Sequence, residues 1–213
     1  MATAPKIALF GYNEFLNLFD GMIDSNAKNP SGISIALVDI DWFGKINDTY
    51  NREIGDSIID NLAKTLHLTV GDSGQVFRYG GDAFMILFDS LEKEQAFLRI
   101  EESRNQFDSQ QTILVGSNKH VVDATISCGV AAFPDDGANS NDVIRKCCEA
   151  LYRAKISGRN KVSLAREEKM VTKTTHYTTG QLDGLQRLAK REGLNEATLL
   201  REALDDVLRK HNS

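Results

Sequence analysis

Two short fragments carry residues able to hold a phosphorylated ligand, Asp39-Ile-Asp41 and Gly80-Gly-Asp82. Asp39 closes the stretch 33–39, which is apolar and β-branched almost throughout, the pattern of a central strand buried on both faces. Gly80-Gly-Asp82 lies between two strand-like runs, 75–79 and 83–88, and reads as a hairpin turn. Neighbouring strands of one sheet would bring Asp39 and Asp82 together. Two carboxylates so placed repel unless a divalent cation sits between them, and oxygen ligands shared with phosphates suit Mg²⁺, or Mn²⁺ in its place. The glycine pair leaves the backbone open to a triphosphate. Taken singly, an aspartate at a strand end is an ordinary cap or surface charge; the pair together points to a site. Lys155 and Arg159, read as one helical turn apart, could grip phosphates, although a solvated helix end carries the same residue types.

The elements that must position these groups follow from periodicity. Residues 54–68 have helical spacing, with Ile58, Ile59, Leu62 and Leu66 on one face. A second amphipathic helix covers 91–107, a strand covers 121–132, and Pro134-Asp-Asp-Gly137 is a turn. Ser140 can cap a helix over 141–157 that Gly158 stops. Helices alternating with strands give an α/β fold, a mixed sheet flanked by helices. The polar stretch 166–170 reads as a linker, dividing a domain over 1–165 from a small module over 171–213.

Charge separates the same two parts. Residues 1–165 hold 16 Lys and Arg against 22 Asp and Glu, a net of −6, whereas residues 166–213 hold 9 against 8, a net of +1. An acidic body argues against a protein that coats nucleic acid with its whole surface. No apolar run approaches the ~18 residues of a membrane span and the N-terminus lacks a signal-like pattern, so a cytoplasmic protein without membrane contact is expected. Cys128, Cys147 and Cys148 have no metal-ligand spacing and read as buried thiols.

Four motifs, in order and spacing, resemble the GGDEF family of diguanylate cyclase domains. They are Asp39-Ile-Asp-Trp-Phe-Gly-Lys-Ile-Asn-Asp48, Gly55-Asp56, Phe77-Arg-Tyr-Gly-Gly-Asp-Ala-Phe84 and Ala150-Leu-Tyr-Arg-Ala-Lys-Ile-Ser-Gly-Arg-Asn-Lys161. The resemblance implies that two GTP molecules, one on each of two subunits, condense to cyclic di-GMP. It implies that Asp39, the Ile40 carbonyl and Asp82 hold Mg²⁺, and that Asn47 and Asp56 read guanine. Phe43, Gly80, Gly81, Lys155 and Arg159 would complete the nucleotide site. This chain also departs from the family pattern. Ala83 stands where the family has a glutamate, so a catalytic acid is lost. Gly44 replaces a phosphate-side lysine, Asn51-Arg52 replaces Gly-His, and Cys148 replaces an aspartate. The family's N-terminal motif survives barely, with Ala4 and Leu9 at its ends, which leaves Arg78 without an expected partner. Gly71 and Gly74 occupy the inhibitory product site, so feedback there is not expected.

The tail, Thr172-Lys-Thr-Thr-His-Tyr177 followed by helices over 180–192 and 195–210, resembles a ribbon-helix-helix domain. A unit of this size with one strand must pair with a second copy to close a core. The resemblance puts the paired ribbon in the DNA major groove, with Thr172, Thr174 and His176 facing it and the Asn195 helix start meeting phosphate. Two functions follow. One is a guanine-nucleotide-sensing regulator that binds double-stranded DNA as a homodimer, with cyclase turnover lost or impaired. The other is a diguanylate cyclase, active or silenced by an engineered Ala83, whose tail only dimerises.

Overall fold

The computed structural model describes residues 10–26, 32–107, 110–115, 118–166, 174–192 and 195–211. The chain divides into two compact units, Met1–Glu167 and Glu168–Ser213. In chain order the first contains α1 (Tyr12–Asn26), β1 (Ile33–Ile40), α2 (Phe43–Thr49), α3 (Arg52–Val70), β2 (Gly74–Gly80), β3 (Ala83–Asp89), α4 (Lys93–Gln106), β4 (Gln110–Val115), β5 (Asn118–Asp123), β6 (Ile126–Phe133), α5 (Ser140–Ile156) and β7 (Val162–Leu164). The second contains α6 (Thr179–Glu192) and α7 (Glu196–His211).

The main sheet has the order β2-β3-β1-β6-β7. β1 pairs antiparallel with β3 and β6, and β7 joins β6 in parallel, so the sheet is mixed as expected. Alternate β1 side chains serve two cores, which is why this strand shows no polar alternation. Ile33, Ile35 and Leu37 pack with Phe15 and Phe19 of α1 and with Val143 and Cys147 of α5. Ala36, Val38 and Ile40 pack with Ile58, Leu62 and Leu66 of α3 and with Ala96 and Ile100 of α4. Cys128 and Cys147 are buried and Cys148 half-buried; burial pushes the Cys128 and Cys147 thiols well up, leaving them inert.

Several elements differ from the sequence expectation. The strand expected over 121–132 is broken at Ala124-Thr125, because β5 leaves to pair with β4 in a separate two-stranded ribbon. The break is held by Thr125, whose carbonyl accepts the Asp41 N–H at 2.8 Å. Residues 12–26, unassigned from sequence, form α1; its glycine and asparagines are weak helix formers, and burial of Phe15 and Phe19 decides the matter. The cap of α5 is Asn139, whose side chain accepts from Asp142 N at 3.0 Å, and Ser140 is the first helical residue. Helix α4 starts later than expected, on a capping box formed by Glu92 and Gln95.

In the second unit Thr178 caps α6, accepting from Gln181 N at 3.3 Å while its own N–H donates to Gln181 Oε1 at 2.9 Å. Asn195 starts α7, its carbonyl accepting from Leu199 N at 3.3 Å. Residues 174–178 form no strand within the single chain, and Thr172 lies outside the described residues, as do Ala4 and Leu9. Among the described residues no helix is long and apolar enough to cross a membrane.

Candidate functional site

The register of β1 delivers the acids. Asp39 pairs with Ala83 on β3, one residue beyond the turn in which Gly80 faces Ala83 across Gly81-Asp82. Gly80 (φ 156) and Gly81 (φ 52) take backbone angles that favour glycine, while a Cβ at either would meet nothing within 4 Å. Conformation, together with open space above the turn, therefore explains the glycine pair. Asp39 is 17% exposed and accepts from Lys155 Nζ at 2.7 Å. Burial raises its carboxyl above the usual range; Lys155 pulls it back, and the charges of half-buried Asp82 and of Asp41 push it up again. Two acids thus share a corner whose cationic neighbour is Lys155. Ile40, whose carbonyl is the expected third oxygen, is the last residue of β1. This hard-oxygen donor set fits Mg²⁺ completed by phosphate and water. Among the described residues no group of three or more His, Cys, Asp or Glu gathers into a self-sufficient metal cage.

Asp41 does a different job from Asp39. Only 3% exposed, it accepts from Thr125 Oγ1 at 2.7 Å, Ser127 Oγ at 2.7 Å and Asn160 N at 3.1 Å. It ties the end of β1 to β6 and to the turn after α5. From sequence Asp41 has no assigned role; the Thr-Ile-Ser of residues 125–127 is the signal in the sequence for its partners.

Asn47, on α2, lies against Gly55 of α3. A Cβ at Gly55 would stand 2.0 Å from Asn47 Oδ1 and 3.1 Å from the Phe43 ring. That Oδ1 is buried and has no hydrogen-bond partner. Asp56 follows Gly55 and is exposed, and Phe43 is half-buried against the core. Asn47 Oδ1 is thus a buried acceptor without a protein partner, packed on the glycine that precedes the exposed Asp56.

Lys155 sits in the last turn of α5, but Arg159 does not lie one helical turn further along, as the sequence reading had it. The helix ends at Ile156, and Gly158, Arg159 and Asn160 all take positive φ. Arg159 lies in this turn, its guanidinium 3.6 Å from the centre of the Trp42 ring. Arg78, expected to lack a partner, donates to the Gly81 carbonyl and lies 4.9 Å from the centre of the Phe84 ring, so it braces the hairpin turn. Ala83 is 7% exposed, its methyl among Phe15, Phe77 and Met85. A Cβ at Gly44 would meet nothing within 4 Å, so packing does not demand glycine there.

In the second unit Thr174, His176 and Asn195 are exposed. Leu182, Leu204, Val207 and Leu208 are also exposed, which leaves the two helices with apolar surface uncovered in the single chain.

Residues 11–161 match the family model described as "Diguanylate cyclase, GGDEF domain". Diguanylate cyclase A of Treponema denticola is 28% identical over 144 residues, covering 68% of this chain and 38% of that protein. Response regulator PleD of Caulobacter vibrioides is 34% identical over 146 residues, covering 67% of this chain and 32% of that protein. The chain thus spans about a third of the length of these curated relatives. The GGDEF domain of DgcB from Caulobacter crescentus, solved in complex with c-di-GMP, superposes with a TM-score of 0.70 at 26% identity, over 78% of this chain and 93% of that one. With the sheet order, the Gly-Gly-Asp turn and the family match over the same residues, the chain belongs to the GGDEF family of diguanylate cyclase domains.

Proposed function

We propose that the first unit binds GTP with Mg²⁺ as a diguanylate cyclase-type domain whose own turnover is impaired by Ala83. The observation that carries the reading is the unpartnered Asn47 Oδ1 above Gly55, beside the Asp56 carboxylate. A guanine edge offers adjacent N–H donors to both acceptors, whereas adenine offers a different pattern. Asp39, the Ile40 carbonyl and Asp82 would hold Mg²⁺, which when bound neutralises triphosphate charge and makes a 3′-hydroxyl more acidic. Lys155 and Arg159 bind phosphate oxygens and orient them toward the Gly80-Gly81 turn. Asp56 and Asn47 fix the base at the other end. Ala83 places a methyl where a carboxylate would take or hold the hydroxyl proton, and neither function is open to it.

In the same proposal the second unit pairs with its copy as a ribbon-helix-helix dimer. Residues 171–177 of the two chains form the ribbon, and Thr172, Thr174 and His176 face a DNA major groove, with Asn195 at phosphate. The uncovered apolar side chains of α6 and α7 support the pairing. The net charge of +1 over residues 166–213 favours, as a second reading, a tail that dimerises without reading DNA.

Calorimetry with Mg²⁺ tests the nucleotide site. GTP binds and ATP binds at least tenfold more weakly, on the order expected when a polar site is left mismatched. Gly55→Ala, which drives a methyl into Asn47, lowers GTP affinity while ATP is unaffected. Equal affinity for the two nucleotides would remove the guanine-reading assignment.

A further inference from the structure

We infer that Trp42 is a positioning residue, its ring holding the Arg159 guanidinium at the phosphate end of the nucleotide site. The inference rests on the nucleotide reading above and adds a part that the motifs do not assign. Trp42 is 62% exposed, so core packing does not account for a tryptophan there. Its ring centre is 3.6 Å from the Arg159 guanidinium carbon, a close cation–π contact. Contact through the π face leaves the guanidinium N–H donors free at the edges. Among the described residues no carboxylate forms an ion pair with Arg159, so those donors remain for an anion.

The backbone holds the pair in place. Trp42 (φ 57) and Arg159 (φ 61) both take the left-handed conformation, which bulky residues adopt only where the surroundings impose it. The Trp42 carbonyl accepts from Ile46 N at 3.2 Å, starting α2, and Arg159 N donates to the Ala154 carbonyl at 3.0 Å, closing α5. Asp41, next to Trp42, accepts from the N–H of Asn160, next to Arg159, at 3.1 Å. The two turns are therefore clamped twice, by the Asp41 carboxylate on the Asn160 N–H and by the Trp42 ring on the Arg159 guanidinium. Asp39 and Lys155, joined at 2.7 Å, sit just upstream, at the ends of β1 and α5 that lead into these two turns. The clamp aims Arg159 at a ligand that these residues hold by its phosphates.

The test uses the full chain, with GTP and guanosine as probes in Mg²⁺ buffer. Trp42→Ala weakens GTP about fivefold or more and changes guanosine less than twofold, and Trp42→Phe, which keeps an aromatic face, recovers most of the loss. Trp42 is the only tryptophan, so its emission reports the contact directly. GTP shifts that emission and guanosine does not, and Arg159→Ala abolishes the GTP-induced shift. Thermal melting of each variant separates a folding defect from a positioning defect, because a partly unfolded protein loses guanosine and GTP alike. If Trp42→Ala binds GTP like the parent while Arg159→Ala does not, the positioning role is overturned and the nucleotide reading stands. If Arg159→Ala also binds normally, the phosphate role of Arg159 falls and this inference with it. If the parent binds neither probe, the nucleotide reading itself is overturned.

Discussion

Asp39 carries an electrostatic conflict. Burial and the nearby Asp82 and Asp41 raise its carboxyl, and Lys155 offsets only part of that. A carboxyl raised on folding holds its proton more tightly in the native protein than in the unfolded chain. Its stabilising contribution is therefore fully present below the ordinary carboxylate range and is lost as pH rises through the raised value. At neutral pH the ionised group costs stability. Asp39→Asn should raise the melting temperature of the ligand-free protein at pH 7, by ~2–4 °C for each kcal/mol relieved, while weakening Mg²⁺-dependent GTP binding. Melting with and without GTP and Mg²⁺ checks both arms; an unchanged GTP affinity would place the metal elsewhere. Ala83 presents the reverse case, a buried methyl paired with Asp39 across the β1–β3 ladder, where the proposal puts a lost acid. Assay of cyclic di-GMP should show little product from this chain, and Ala83→Glu should raise the rate by at least ~10², the lower end of general acid–base assistance. Robust synthesis with alanine in place would show that position 83 is dispensable.

Helix α5 sets Lys155 and the turn bearing Arg159, and its seat on the sheet depends on Gly129 of β6. A Cβ there would stand 2.2 Å from the Cys147 carbonyl oxygen and 2.4 Å from the Leu151 nitrogen. Both are helix backbone atoms, so no side chain can rotate away; the helix itself must lift. Gly129→Ala should destabilise the first unit by about 3 kcal/mol or more, at the upper end of overpacking effects. Gly44→Ala, where the added methyl meets nothing, should instead stabilise by ~0.5–1 kcal/mol through helix propensity. Urea unfolding followed by Trp42 emission measures both in the first unit. A mild effect at Gly129 would mean that α5 tolerates displacement and that Lys155 is less rigidly placed than its 2.7 Å contact suggests.

For the whole molecule, the pairing proposed for the second unit would keep two copies of the GGDEF domain together. The condensation proposed for this fold needs two GTP sites face to face, and a shared tail raises their effective concentration. Deleting residues 168–213 should convert a dimer to a monomer in sedimentation at micromolar concentration and abolish any DNA binding. A truncated chain that stays dimeric would place the main interface in the first unit. The DNA assignment has its own check: Thr174→Ala and His176→Ala should reduce binding to a selected duplex, and unchanged binding leaves the tail a dimeriser alone.

Much of this was legible without coordinates. The buried β1, the Gly-Gly-Asp hairpin, α3 and α5 each announce themselves through local periodicity or turn chemistry, which need no knowledge of distant residues. Family spacing adds Asn47, Asp56, Lys155 and Arg159 as the residues of the proposed nucleotide site. What stayed hidden depended on contacts between residues far apart in the chain. Helix α1 exists because Phe15 and Phe19 find the β1 face, and β5 separates from β6 because Thr125 engages Asp41, 84 positions away. The different surroundings of Asp39 and Asp41, two residues apart, are set by the partners each meets: Lys155 for one, Thr125, Ser127 and Asn160 for the other. Arg159 was visible as a cation in the sequence, but its seat on Trp42 arises only when α5 ends and the chain folds back over β1. Residue type and spacing determine which chemistry the chain can attempt, because side-chain functional groups are local. Which groups meet is decided by the tertiary fold, because burial and pairing are properties of neighbours that sequence distance does not encode.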